Sequence, residues 1–299
     1  MPRKPSRRSL AGALALLACA PLFAQLNGVV DIHAHSGPDS VPRSIDADEL
    51  VKLAKSRGMR GLLLKNHYES TASLAWIVKK QAPGLEVFGG IDLNRSVGGV
   101  NPAAIERMVL VEGGLGRVIW MPTFDAENQV RYSKENRPFV SVARNGELLP
   151  ETKQVIALAA KHHLMLETGH SSAQEGLMII REAKRQGVEN VVVTHPLIAP
   201  VRMSIAQMKE AADLGAYLEF VYNGTLGKNP EYTLKQYADA IRQVGAKYCI
   251  LSSDLGQAVN PLHPDGLVAY FAGLLKEGIS QADIDLMSKT NPARVLGLK

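Results

Sequence analysis

The chain has 299 residues, 46% of them hydrophobic and 21% charged, a balance that excludes wholesale disorder and suffices for a substantial buried core. Its formal charge of +5 is carried by the start: four of the 34 basic residues (Arg3, Lys4, Arg7, Arg8) fall in the first 24 positions, which hold no acid, and the rest carries 30 basic against 29 acidic side chains. That near-neutral remainder, with no basic aromatic face, excludes a nucleic-acid partner and gives no attraction to anionic membranes.

In chain order, a leader comes first. The basic start, an apolar run from Leu10 to Leu17 and small residues before Gln25 read as a secretory signal peptide over 1–24, leaving one domain over 25–299. The run is too short to favour a membrane span, and no later stretch reaches spanning length. Ser6-Arg7-Arg8-Ser9-Leu10 resembles a twin-arginine signal, so the expectation is periplasmic export of a folded, metal-loaded protein. Leu16-Leu17-Ala18-Cys19 resembles a lipoprotein cleavage box, although Leu17 fits it poorly; soluble export ranks first and a lipid anchor at Cys19 second. Cys249 is the one cysteine beyond the leader, so no internal disulfide or thiolate metal site is expected, and its apolar setting makes it a small buried hydrophobe.

From residue 28 onward, short apolar runs alternate with amphipathic segments. Strands are expected at 28–33, 60–65, 86–91, 116–121, 164–168, 190–194, 216–221 and 247–252, and helices at 46–57, 71–81, 102–112, 151–162, 173–186, 204–213, 231–244 and 265–276. Many helices start after Ser, Asp, Asn or Pro and stop at a glycine such as Gly58, Gly187 or Gly245, as capping requires. Strict alternation implies a parallel sheet covered by helices, and eight such units in roughly 250 residues fit an α/β fold of the (β/α)8 TIM-barrel type. An open doubly wound sheet is the competitor, but no G-x-G-x-x-G follows the first strand. Residues 124–149 form an insertion after the fourth strand, of the kind that serves as a lid, with a small strand expected at Phe139–Val142. The tail from Ser280 to Leu298 reads as a helical pair closing the barrel.

In such a barrel the chemistry gathers at the carboxyl ends of the strands. The first strand, Val29-Val30-Asp31-Ile32, runs into His33 and His35, which point the same way because side chains alternate. The second ends in Lys65-Asn66-His67, the fifth leads to His170, the sixth to His195 and the eighth to Asp254. Six of the eight histidines fall at or just past a strand end or in its loop; His162 and His163, at a helix end, read as structural, and His263 is left unassigned. Four imidazoles and one carboxylate converging from strands one, five, six and eight suit a divalent metal, zinc by its preference for nitrogen and oxygen donors.

This pattern resembles the amidohydrolase superfamily: H-x-H after strand one, a lone His after strands five and six, and Asp after strand eight. Asn291-Pro292-Ala293-Arg294-Val295-Leu296-Gly297-Leu298 resembles its closing helix. Lys65-Asn66-His67 with Ser70-Thr71, the run Leu93 to Pro102, Trp120-Met121-Pro122-Thr123 and Ser253-Asp254-Leu255-Gly256-Gln257 are similar to an amidohydrolase-like branch of metal-dependent hydrolases. The resemblance implies that His33, His35 and Asp254 bind one metal, and that His170 and His195 bind a second or complete a mononuclear site. Binuclear members bridge their metals with a carboxylated lysine or a glutamate of the fourth strand, which Trp120-Met121-Pro122-Thr123 lacks. Lys65, facing inward, either takes that bridging role as a metal ligand or stays an ammonium that binds an anionic substrate group or pairs with Asp254. His67 reads as a substrate or outer contact ahead of a ligand. Asp31 either orients an imidazole or caps below the metals; Glu219 and Asn223 face the pocket; Arg95 is a loop arginine ahead of an anion clamp; Asp125 is a loop acid and Trp120 a packing residue.

The function expected is a metal-dependent hydrolase of a small-molecule amide, ester, lactone or phosphoester bond. The metal lowers the pKa of its water and polarises the scissile group, and Asp254 moves the proton. Lys65 and His67 are further catalytic candidates. A mononuclear decarboxylase-type lyase is the alternative within barrels, and an exported ligand-binding barrel without turnover is the alternative outside enzymes. A polymerase-and-histidinol-phosphatase type phosphoesterase also begins D-x-H-x-H but needs further acidic and histidine ligands.

Overall fold

The computed structural model describes residues 26–228 and 230–299; the leader, with Cys19, lies outside them. Its first half runs β1 (Val30–Ala34), α1 (Ala47–Ser56), β2 (Gly61–Leu64), α2 (Ala72–Lys79), β3 (Glu86–Asp92), α3 (Pro102–Val109), β4 (Gly116–Trp120) and α4 (Glu127–Ser133). A hairpin follows, β5 (Ala143–Arg144) and β6 (Glu147–Leu148), then α5 (Pro150–Lys161), β7 (Met165–Glu167), α6 (Ala173–Gln186), β8 (Val191–Val193) and α7 (Ile205–Asp213). The chain ends with β9 (Tyr217–Val221), α8 (Leu234–Val244), β10 (Cys249–Ser252), α9 (His263–Lys276), α10 (Gln281–Asp285) and α11 (Asn291–Val295).

Eight strands pair in parallel in the order β1-β2-β3-β4-β7-β8-β9-β10. The sheet closes just past the strand ends, where Asp254 N donates to His33 O (2.8 Å) and His35 N to Leu255 O (2.9 Å). Every residue of β1, β2, β7, β8 and β10 is buried, as a parallel sheet covered on both faces demands. The outer helices turn apolar stripes inward, and Ser172, Ser204 and Thr233 open α6, α7 and α8 with capping boxes, each side chain accepting from the N3 amide. This is the (β/α)8 barrel that the alternation implied. Cys249 is buried, and burial pushes its thiol pKa up.

Two local expectations shift. The strand expected at Phe139–Val142 is reduced to a single bridge between Val140 and Ala126, and the real hairpin lies at 143–148. Its cause is Asn145-Gly146, both at positive φ (52° and 79°), the two-residue turn whose twist matches an antiparallel pair. The closing tail is one run rather than a pair: α10 and α11 are joined through a π-helical turn, Leu286–Thr290. It seals the amino end of the barrel, opposite the histidines, where buried Asn291 donates its Nδ2 to Cys249 O (2.7 Å) and Ala246 O (3.2 Å).

Asn291→Ala removes these bonds, and a third to Lys247 O (3.4 Å), from a buried spot. It should lower the unfolding free energy by about 1–3 kcal/mol in urea titration while leaving ligand binding at the far end intact; an unchanged midpoint would refute the stapling role.

Candidate metal centre

The site is built on the seam between β1 and β10. Asp31 Oδ1 accepts the amides of His33 (3.2 Å) and Ser253 (3.0 Å), so this acid fixes the register of the seam and is the capping residue rather than the imidazole's partner. That partner is Glu219 on β9: His33 donates Nδ1–H to its carboxylate, with both oxygens at 3.2 Å. Ser252 Oγ donates to the same carboxylate at 2.6 Å. Burial works against the charge on Glu219, but His33 and Ser252 outweigh it and hold its pKa below the ordinary value. His35 donates Nδ1–H to Lys65 O at 2.7 Å. A carbonyl can only accept, so the proton of His35 is on Nδ1.

Nδ1 is spoken for in both rings, and both Nε2 atoms face one oxygen. Asp254 Oδ1 lies 3.3 Å from His33 Nε2 and 3.0 Å from His35 Nε2. Burial drives the His35 pKa down to about 3, against the pull of Asp254, so its ring is neutral. The Asp254 carboxyl is held well below the carboxylate range: burial opposes its charge, and the surrounding His33, His35 and His195 prevail. Lone pair against carboxylate repels unless a cation lies between them. The donor atoms of His33, His35 and Asp254 fall within 4.8 Å of one another. Their separations approach the roughly 3.4 Å between neighbouring ligands of a tetrahedral zinc with bonds of about 2.1 Å, so the donor set fits such an ion.

Local backbone strain places these groups. Asp254 sits at φ +50° and His195 at φ +27°, conformations that side chains with a Cβ adopt at a cost of order 1–3 kcal/mol and that concentrate at functional sites. Two glycines make room: a Cβ at Gly256 would lie 2.2 Å from His35 O, and one at Gly169, just before His170, 2.1 Å from Met121 O.

Across the cavity, His170 donates Nδ1–H to Gln129 Oε1 (2.8 Å) on α4 of the insertion, which turns its Nε2 inward. Burial is the main cause lowering the pKa of His170, His67 and His195, the last to about 4, so all three are neutral donors. His195 Nδ1 is buried without a partner. The rings form a closed circle around the opening: His35 to His33 5.2 Å, His33 to His195 6.2 Å, His195 to His170 5.0 Å, His170 to Phe124 5.7 Å, Phe124 to His67 4.2 Å and His67 to His35 4.8 Å between centroids. They line one cavity of about 400 Å³, together with Lys65, Asp254 and Asn223.

All of His33, His35, Lys65, His67, His170, His195 and Asp254 thus reach a single cavity. Asn223 donates to Asp254 Oδ2 at 3.3 Å. Arg95 is exposed and outside the cavity wall. Asp125, more than a loop acid, accepts Arg95 N (2.9 Å) and pairs with Arg137. His263 is buried at the start of α9.

Sequence reading missed Asp92 and Glu167. Asp92, at the end of β3, accepts from Thr123 Oγ1 (2.7 Å) and lies 3.3 Å from His67 Nδ1 and 3.6 Å from Lys65 Nζ. Burial raises its pKa to about 7, with Lys65 pulling the other way. Glu167 Oε2 accepts from Thr194 Oγ1 (2.9 Å), and burial, then Glu219, push its carboxyl well up. A signal was present: both are acids at the end of an otherwise apolar strand, where an uncompensated charge is costly.

Among solved structures, the fold is similar to that of an amidohydrolase from Pseudomonas aeruginosa, at 15% identity over 92% of this chain and 97% of that one, with a TM-score of 0.64. It is similar to an amidohydrolase from Burkholderia multivorans with bound zinc, at 13% identity over 91% and 99%, with a TM-score of 0.62. It is also similar to 2,6-dihydroxybenzoate decarboxylase from Rhizobium, at 14% identity over 91% and 99%, with a TM-score of 0.55. The resemblance read from the strand-end motifs therefore holds at the level of the barrel. No curated protein matches the chain in sequence. Its family is shown by a model that spans residues 28–219, from the strand before His33 to Glu219: the chain belongs to the family of unknown function DUF6282.

Proposed function

We propose that the protein is a metal-dependent hydrolase of a small-molecule amide, ester, lactone or phosphoester bond. His33, His35 and Asp254 would hold a divalent cation, zinc on the chemistry of the donors, and His170 and His195 would complete that site or hold a second ion. The observation that carries this reading is the aim of the His33 and His35 Nε2 atoms at one carboxylate oxygen of Asp254. A cation bound there supplies Lewis acidity, lowering the pKa of a coordinated water and polarising the substrate's oxygen.

The chain's own groups do the rest. Asp254, kept ionised, accepts the proton of the attacking water and returns it to the leaving group. Asn223 steadies its second oxygen. Glu219 and the Lys65 carbonyl hold the His33 and His35 rings in the tautomer that leaves Nε2 free, as the partners of metal-bound histidines do. His67 is backed by Thr123 (2.9 Å) and Asp92, so its Nε2 offers the substrate an acceptor, and a donor once it has taken a proton.

A decarboxylase-type lyase on the same donors is the second reading, supported by the similarity of the barrel to a decarboxylase; product analysis separates the two. Retention of a ligand without turnover would instead favour a binding protein. The proposal includes periplasmic export, on the strength of Arg7-Arg8 and the apolar run after it, with soluble release ahead of an anchor at Cys19. Among the described residues no helix is long and apolar enough to cross a membrane.

Zinc-loaded protein should turn over at least one member of an ester, lactone and phosphoester panel, and Asp254→Asn should lose about 10²–10⁴-fold in kcat/KM; full turnover in that variant removes the mechanism. Glu219→Gln should weaken zinc binding about 10-fold or more in chelator competition, and an affinity equal to wild type would show that Glu219 does not tune the His33 ligand.

A further inference from the structure

We propose that the cavity takes a small organic acid, a carboxylate on an apolar, ring-sized body, and that the Lys65 ammonium is the carboxylate's partner. The inference rests on the reading of this cavity as the substrate site, and adds the class of substrate. Lys65 is 1% exposed and its Nζ, buried, donates no hydrogen bond. Its nearest carboxylate oxygen, Asp92 Oδ2, lies 3.6 Å away, beyond hydrogen-bond length, and the buried Trp120 ring lies 5.4 Å away behind it. A buried ammonium whose one ionic partner stands off at 3.6 Å has donors left for an acceptor that arrives from outside. The other cation on the wall, Arg43, is already held by Asp39 at 2.6 Å.

The remaining wall points to the same class. Asp254 is the one acid among the cavity's lining residues, and it is committed to the histidines. Val41 and Phe124 are 37% and 39% exposed and, with Pro42, Ile198 and Ala199, give the cavity an apolar rim. The volume of about 400 Å³ lies in the range of roughly 300–1,000 Å³ typical of small-molecule sites. An anion at the floor and a ring against Phe124 satisfy both ends. A carbamate on Lys65 would instead set a second negative group against Asp92, which the ammonium now offsets.

Trp120 is one of two tryptophans, so Trp76→Phe leaves it as the sole reporter beside Lys65. Benzoate and its neutral counterpart benzamide are titrated into this protein, zinc-loaded and chelator-stripped, with Trp120 emission as the readout. Expected is a saturable benzoate response in both metal states, with benzamide at least tenfold weaker; Lys65→Met should abolish that preference and keep the zinc content. Three results overturn the proposal: equal responses to the two probes in the parent protein, a benzoate response that needs zinc and survives in Lys65→Met, or a carbamate signal on Lys65 by carbon NMR after labelled bicarbonate. The parent comparison decides even if Lys65→Met fails to fold. Because binding is read without turnover, a benzoate preference in a protein inactive on the whole panel upholds the subsite and removes the hydrolase reading alone.

Discussion

Everything at the mouth of this barrel depends on one electrostatic constraint: two imidazole lone pairs and a carboxylate oxygen cannot share a dry space without positive charge among them. His35 gives its Nδ1 hydrogen to a backbone carbonyl at 2.7 Å and stays neutral, His33 turns Nδ1 to Glu219, and both Nε2 atoms face Asp254 Oδ1. Protonating His35 would put a charge on a ring that burial keeps neutral, as its pKa near 3 expresses. A divalent cation resolves the conflict at one stroke, and the side chains around it are fixed before it arrives.

The scaffold holds that conflict in place by spending backbone freedom at the seam of β1 and β10. Asp31 binds two amides across it, Gly256 allows the chain to pass over His35 O, and Asp254 and His195 take positive φ. The far end of the barrel is sealed by the helical tail through Asn291. Stability thus sits at the amino end and strain at the carboxyl end, the division of labour that (β/α)8 barrels share. The insertion is part of the site as well, because Gln129 on α4 sets the tautomer of His170 and Phe124 completes the circle of rings.

Much of this was legible in the sequence, for physical reasons. A parallel sheet buried on both faces writes each strand as an apolar run, so all eight barrel strands could be located, and Ser172 and Ser204 stood at expected helix starts, whereas α8 begins after Thr233 rather than at 231. Histidines at the ends of such runs stood out because imidazoles are otherwise rare there. What depended on tertiary pairing was harder to see. Glu219 could be placed toward the pocket but its bond to His33 joins β9 to β1 across 186 positions. Asp92 and Glu167 end otherwise apolar strands, and only the fold reveals that Asp92 lies 3.6 Å from Lys65. The hairpin at 143–148 was readable from Asn145-Gly146, yet the β-branched run before it drew the strand a few residues too early. The ambivalence of Lys65 between carbamate and ammonium rests on neighbours, Asp92 above all, that no spacing rule supplies.

The most direct measurement is anomalous scattering at the zinc edge from crystals of natively purified protein, paired with elemental analysis. A cation held by the seam gives at least one metal equivalent and a peak between His33 Nε2, His35 Nε2 and Asp254 Oδ1. Metal-free protein that reloads no zinc, or a peak elsewhere with His33 and Asp254 apart, would contradict it.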